Sequence, residues 1–201
     1  MITRGAPAAR AILPSVTTAF APRPRTWART DYERLVSAGI LGPGDRVELL
    51  EGEIIEMSPE KSRHAAAVDL ALDALRRRLG ASHTIRVQHP LAVSETSEPE
   101  PDLAVVPGTP RDYVDRHPSS ADLLVEVSDS SLEYDRTRKA RVYAGAGIPE
   151  YWIVNLVESV LEVHRDPGRS GYRSVMTRRR GETVAPLVAP GAAIEVSELL
   201  P

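Results

Sequence analysis

A mixed α/β fold is predicted by the order of three kinds of segment. A long stretch of helical periodicity at 63–79 is followed by three short β-prone runs, at 84–93, 102–106 and 122–127. A second helical stretch at 134–144 leads into the strongly β-prone EYWIVN at 150–155. The order α, β, β, β, α, β is not the strict alternation of a doubly wound sheet. It predicts a mixed sheet flanked by two helices, an α/β fold of the α+β mixed-sheet kind with β-hairpins added at both ends.

The elements follow in order. Residues 1–26 carry Pro7, Pro14, Pro22 and Pro24 without periodicity and read as a mobile, mildly basic tail. That tail is either a plain extension or an arm for DNA. The domain proper is 27–201. Thr30 and Glu33 have capping-box spacing and predict a helix over 31–38, closed by Gly39. Segments 46–50 and 53–57 form a hairpin about Glu51-Gly52. In the long helix, capped by Ser62, Val68, Leu72, Leu75 and Leu79 make one apolar stripe, Arg76–Arg78 suit the helix C-terminus, and Gly80 ends it. On the 84–93 run, Ile85, Val87, His89 and Leu91 share a face. The polar stretch 107–121 is a long loop. Ser131 or Asp129 caps the second helix, and Gly145, Gly147 and Pro149 stop it. A hairpin of 160–164 and 172–176 and short strands near 183–187 and 193–196 complete the chain.

Composition narrows the chemistry. Hydrophobic residues make up 42% of 201 and aromatics 4%, so the core is aliphatic. There is no cysteine, which excludes disulfides and thiolate metal sites and leaves carboxylate, imidazole or backbone oxygen as ligands. A net charge of −3 excludes a DNA-coating protein, though not an enzyme that meets a phosphodiester locally through a cation. No apolar run reaches the ~18 residues of a membrane span, and Pro14 interrupts the short apolar stretch before it; the expectation is a cytoplasmic protein with no membrane contact. No phosphate-binding glycine loop is present, so no nucleotide cofactor is implied.

Three residues carry the candidate chemistry. Asp102 opens a short apolar strand after Pro101; the plain alternative is an acidic turn residue. Glu126 lies inside LLVEVS, where a carboxylate is costly unless paired, protonated or bound to a cation. The plain alternative there is an outward acid on an edge strand. Lys139 follows on the next helix with Asp135 and Tyr143 at i−4 and i+4, on one face or as an ordinary solvated pair. Antiparallel neighbours would bring Asp102 and Glu126 to one end of the sheet, where two carboxylates offer oxygen to Mg²⁺ or Mn²⁺. Such a cation activates water and polarises phosphate, and a nearby lysine would stabilise the phosphate charge.

The blocks GDRVELLEGEIIEMSP, EPEPDLAVV, DLLVEVSDSS and YDRTRKARVYAGAGIPEYWIVN, with His64 at a helix start, resemble the Uma2 (DUF820) family from end to end. That family resembles the PD-(D/E)xK nucleases, whose core order is also αβββαβ. The resemblance implies a metal-dependent endonuclease that hydrolyses phosphodiester bonds, in DNA or alternatively in another phosphoester such as RNA. It assigns Asp102 and Glu126 as metal ligands, with the Val127 backbone carbonyl as a third. Ser128 stands where the pattern wants lysine, and Lys139 is the substitute from the helix. Glu48 is the early acid of the site, with Glu53 and Glu56 as rivals by spacing. His64 contacts phosphate or shapes the site, or is a partly buried helix-start histidine. Arg178–Arg180 are a solvated hairpin end or a phosphate contact. The missing lysine keeps an alternative open, a non-catalytic or regulatory binding protein on a nuclease scaffold. Cutting both strands implies a homodimer.

Overall fold

The structure is a computed structural model that describes residues 23–42, 44–80 and 83–201. Most of the tail expected at 1–26 lies outside the described residues. The Trp27 N–H donates to the Gly52 carbonyl at 2.8 Å, which fastens the start of the domain to a hairpin turn.

Helix α1 (Arg29–Ser37) begins before the expected cap, so Thr30 is inside the helix and no side chain caps it. A tertiary anchor displaces the cap. The Arg29 N–H donates to the Glu95 carbonyl at 2.7 Å, and its Nε donates to the Ser94 carbonyl at 3.2 Å. Strands β1 (Val47–Leu50) and β2 (Glu53–Glu56) form the predicted hairpin. Glu51 (φ 51°) and Gly52 (φ 79°) are both left-handed, as a two-residue turn requires. A Cβ on Gly52 would also lie 2.7 Å from the Thr26 Cβ. Gly52→Ala is therefore expected to cost about 1–3 kcal/mol, read as a lower thermal midpoint.

Helix α2 (Ser62–Leu79) buries Ala67, Val68, Ala71, Ala74, Leu75 and Leu79. Small alanines on this face let the helix approach the sheet closely. Gly80 (φ 61°) ends it as expected. Strand β3 (His83–Val87) is shorter than its apolar pattern. Gln88 turns left-handed (φ 48°) and takes the chain out of the sheet. Ile85 and Val87 therefore pack on the α2 side while Leu91 joins the core of the opposite face. The single expected face through 85–91 is corrected accordingly.

Strands β4 (Leu103–Pro107), β5 (Leu123–Ser128), β6 (Glu150–Asn155), β7 (Val160–Gly168) and β8 (Gly171–Arg178) complete a six-stranded sheet in sequence order from β3. All neighbours are antiparallel except β5 and β6. That parallel pair needs a crossover, supplied by a helical segment on the far face from α2. The segment runs from α3 (Leu132–Tyr134) through a π-helical stretch, Asp135–Lys139, into α4 (Ala140–Gly145). Both sheet faces are thus covered, which explains the nearly unbroken apolar runs of β4, β5 and β6. Strands β9 (Thr183–Val184) and β10 (Ile194–Glu195) pair, and Val184, Ile194, Val196, Leu199 and Leu200 close the core beside α2. Among the described residues, no helix is long and apolar enough to cross a membrane.

Candidate active site

Alternation along β5 decides which side chains reach the site. Leu123, Val125 and Val127 face α2, so Leu124 and Glu126 face the crossover helix. β5 is interior to the sheet, and Glu126 is 4% exposed, so it is no edge-strand surface acid. β4 and β5 run antiparallel, with Leu103 opposite Val125. Asp102, one residue before β4, therefore comes level with Glu126. The Val127 N–H donates to Asp102 Oδ2 at 2.8 Å, and the Asp102 N–H lies 3.4 Å from Glu126 Oε2. Both acids line one cleft of about 320 Å³.

The crossover helix supplies the cation. Lys139 Nζ donates to Glu126 Oε1 at 2.9 Å and lies 3.4 Å from Glu48 Oε2. The Tyr143 hydroxyl donates to the same Glu126 oxygen at 2.7 Å. Asp135 is buried on this face, accepting from the Ser128 and Ser131 hydroxyls at 2.7 and 2.6 Å. Asp135 and Lys139 are thus part of a buried network, not a solvated helix pair. Ser131, expected as a cap, makes no side-chain bond to a helix-end N–H and serves Asp135 instead.

Among the early acids, Glu48 is the one brought to the lysine. It is 1% exposed, and its Oε2 accepts the Glu100 N–H at 3.1 Å. Glu53 is exposed and pairs with Arg138 at 2.7 Å; Glu56 is exposed at the cleft wall. His64 reaches Asp102 Oδ2 with Nε2 at 3.2 Å and Glu60 Oε1 with Nδ1 at 3.0 Å. Gln88 Nε2 donates to Asp102 Oδ1 at 3.3 Å. Arg178 and Arg180 stand away from the cleft, on Glu182 and the Pro201 carbonyl.

Electrostatics separates the two main acids. Burial opposes ionisation of Asp102, but His64, the Val127 N–H and Lys139 together hold its pKa below the ordinary carboxylate range. Burial dominates at Glu126; its carboxyl is pushed up to about 8, with Asp102, Asp135 and Glu48 adding to the shift against Lys139. Burial also works against the Lys139 ammonium, yet Glu126, Glu48 and Asp135 override it and keep the amine protonated. Burial disfavours the His64 imidazolium too, but Asp102 and Glu60 raise it to about 9. In metal-free protein a histidine titration by NMR is expected to give a His64 midpoint near 9. Since this pKa is raised on folding, the pair stabilises fully below about 6.5, the ordinary histidine value. That contribution fades as pH rises through 9. A midpoint near 6.5 would contradict the contact.

Eight carboxylates thus line the cleft, Glu48, Asp102, Glu126 and Asp135 at its floor, against four basic side chains, Arg46, Lys61, His64 and Lys139. The surplus negative charge and the all-oxygen ligands fit a hard divalent ion. Among the described residues no three His, Asp or Glu side chains form a closed cage. Two carboxylates with water to complete the shell is the usual Mg²⁺ arrangement. The Tyr134 hydroxyl lines the same cleft and has no hydrogen-bond partner among the described residues. Glu60 and Glu100, which the sequence did not single out, line the cleft as well, and Glu60 stands just before α2, four residues ahead of the His64 it pairs with.

The core order αβββαβ, on a mixed sheet with one parallel pair, is the order read from the sequence. The chain belongs to the Uma2 family, whose description is "Putative restriction endonuclease" and whose model matches residues 29–197. A crystal structure from Anabaena variabilis ATCC 29413, described as "a putative nuclease belonging to DUF820", superposes with a TM-score of 0.68. The match covers 86% of this chain and 96% of that one at 14% identity, a likeness of fold. No curated protein matches the chain.

Proposed function

We propose that the chain is a divalent-cation-dependent endonuclease that hydrolyses phosphodiester bonds in DNA. The observation that carries this reading is the meeting of Asp102, Glu126 and Lys139 in one cleft, from three separate elements. Asp102, Glu126 and the Val127 carbonyl would hold the cation, Mg²⁺ or Mn²⁺. When bound, it would polarise a phosphate oxygen and lower the pKa of a bound water. Asp102 serves as a fixed ionised ligand, because its hydrogen bonds favour the carboxylate. Glu126 would be the adjustable ligand, since its carboxyl is protonated up to about pH 8 without a cation and a bound cation would favour its ionised form. Lys139 keeps a positive charge at the cleft floor, where it stabilises charge gathering on the phosphate. His64 holds Asp102 in place and presents a second cation at the wall.

Lys139 supports catalysis over the alternative of a non-catalytic scaffold, since its amine is directed at Glu126 and only 6% exposed. Its long stem lets it serve from the helix in place of a strand lysine at Ser128. A cytoplasmic homodimer, with one cleft for each strand of a duplex, completes the reading. Supercoiled plasmid incubated with Mg²⁺ or Mn²⁺ is expected to be nicked, and EDTA to stop it. Intact plasmid under both cations would overturn the proposal. Light scattering at micromolar protein tests the dimer.

A further inference from the structure

A second cleft, of about 670 Å³, adjoins the first. The two share Arg46, Met57, Glu60, Glu100 and Asp102 as common wall. The second is walled on its far side by Tyr32 and Val36 of α1 and by Gly39, Leu41, Gly42 and Asp45. Together they form one groove that passes the carboxylates and continues beyond them.

The groove is acidic, and most of its cations are already neutralised. Lys139 is held by Glu126 and Glu48, His64 by Asp102 and Glu60, and Lys61 by Asp129 at 3.2 Å. Arg46 is different. Its guanidinium is exposed and makes no hydrogen bond or ion pair with any described residue; its charge is felt at Glu100. Its backbone is fixed, since the Met57 N–H donates to the Arg46 carbonyl at 2.7 Å. An uncommitted arginine therefore leaves a rigid hairpin base where the two clefts meet. A polyanion lying across this acidic floor needs such a counter-charge beside the reacting phosphate, and a guanidinium fork suits phosphate oxygens.

We propose that the joined clefts carry one strand of the substrate, and that Arg46 binds the phosphate next to the one being cleaved. The flanking nucleotide would occupy the second cleft against Tyr32 and Val36. This inference rests on the nuclease reading. Arg46 acts in binding and takes no part in the reaction at the carboxylates.

The test is steady-state cleavage of a duplex oligonucleotide with Mn²⁺, from about 50 to 300 mM KCl, a range over which phosphate contacts reveal themselves. Arg46→Ala is expected to raise KM about tenfold with kcat within about twofold, as loss of one charge-assisted contact predicts. The slope of log(1/KM) against log salt should shrink by about one. Arg46→Lys should recover part of the loss. Arg76→Ala, an exposed arginine on α2 that lines neither cleft, should behave as wild type. Unchanged KM and slope in Arg46→Ala would overturn the inference, as would an equal loss in Arg76→Ala. A wild-type protein that cuts nothing would overturn the nuclease reading and this inference with it.

Discussion

Lys139→Met is expected to destabilise the protein by about 3–5 kcal/mol at neutral pH, because it removes one member of a buried charge cluster. The amine is the nearest cation to Glu126 and Glu48, and both acids are nearly inaccessible to water. Methionine fills a similar volume, so lost packing contributes little. In a chain of this size the thermal midpoint should fall by roughly 6–20 °C. The loss should depend on pH with a definite sign. Without Lys139, Glu126 rises further above its present value near 8. A carboxyl raised on folding destabilises increasingly as pH climbs from its unfolded pKa to its folded one. The penalty should therefore be smaller at pH 5 than at pH 8. Adding Glu126→Gln should return part of the stability, and a double-mutant cycle over the four proteins measures the coupling. Nicking should be absent from both. Equal midpoints for wild type and Lys139→Met across pH 5–8 would show that the cluster is not formed.

Asp102→Asn is expected to abolish nicking, by about 10³-fold or more, while leaving the fold intact. The amide oxygen still accepts the Val127 N–H that Asp102 Oδ2 now accepts at 2.8 Å. The new NH₂ group faces Gln88, whose own amide can turn to present its oxygen. Loss of the His64 pair should cost about 1–3 kcal/mol at neutral pH, with the fold retained. The lost charge also acts on the cation site. An amide is a far weaker ligand for a hard cation than a carboxylate. It also no longer supports the His64 imidazolium, so that pKa should drop from about 9 toward the ordinary histidine value. Loss of activity together with a lowered His64 midpoint distinguishes a damaged site from a misfolded protein. Retained nicking in Asp102→Asn would remove Asp102 from the mechanism.

Much of this arrangement is written locally. EYWIVN reads as a strand at 150–155 and forms one over those residues, because its β-prone run is buried on both faces. Glu126 stands out since an acid within LLVEV is costly wherever that strand lies inside a sheet. The spacing of Lys139 and Tyr143 places both on the face that meets it, and both reach the same oxygen. What escapes the sequence depends on distant contacts. Gln88 ends β3 in a left-handed conformation that its residue type does not announce. The π-helical turn through Asp135–Lys139 spreads five residues over a bonding pattern set by the sheet beneath it, with Asp135 drawn to Ser128 and Lys139 to Glu126. Glu48 could not be told from Glu53 or Glu56 by spacing alone, since which side of a hairpin faces the lysine is decided by how the hairpin docks. Arg138 decides it here: its side chain bonds Glu51, Glu53 and the Leu50 carbonyl and ties the turn to the helix.

Cation binding by the two carboxylates is the central claim, and calorimetric titration of Mn²⁺ reaches it most directly. The wild type should bind, and Asp102→Ala/Glu126→Ala should not. Binding at pH 7 should release protons, seen as a heat that varies with the buffer, because Glu126 with its pKa near 8 must ionise to become a ligand. Wild-type protein that takes up no Mn²⁺, or a double variant that binds it equally well, would contradict the account.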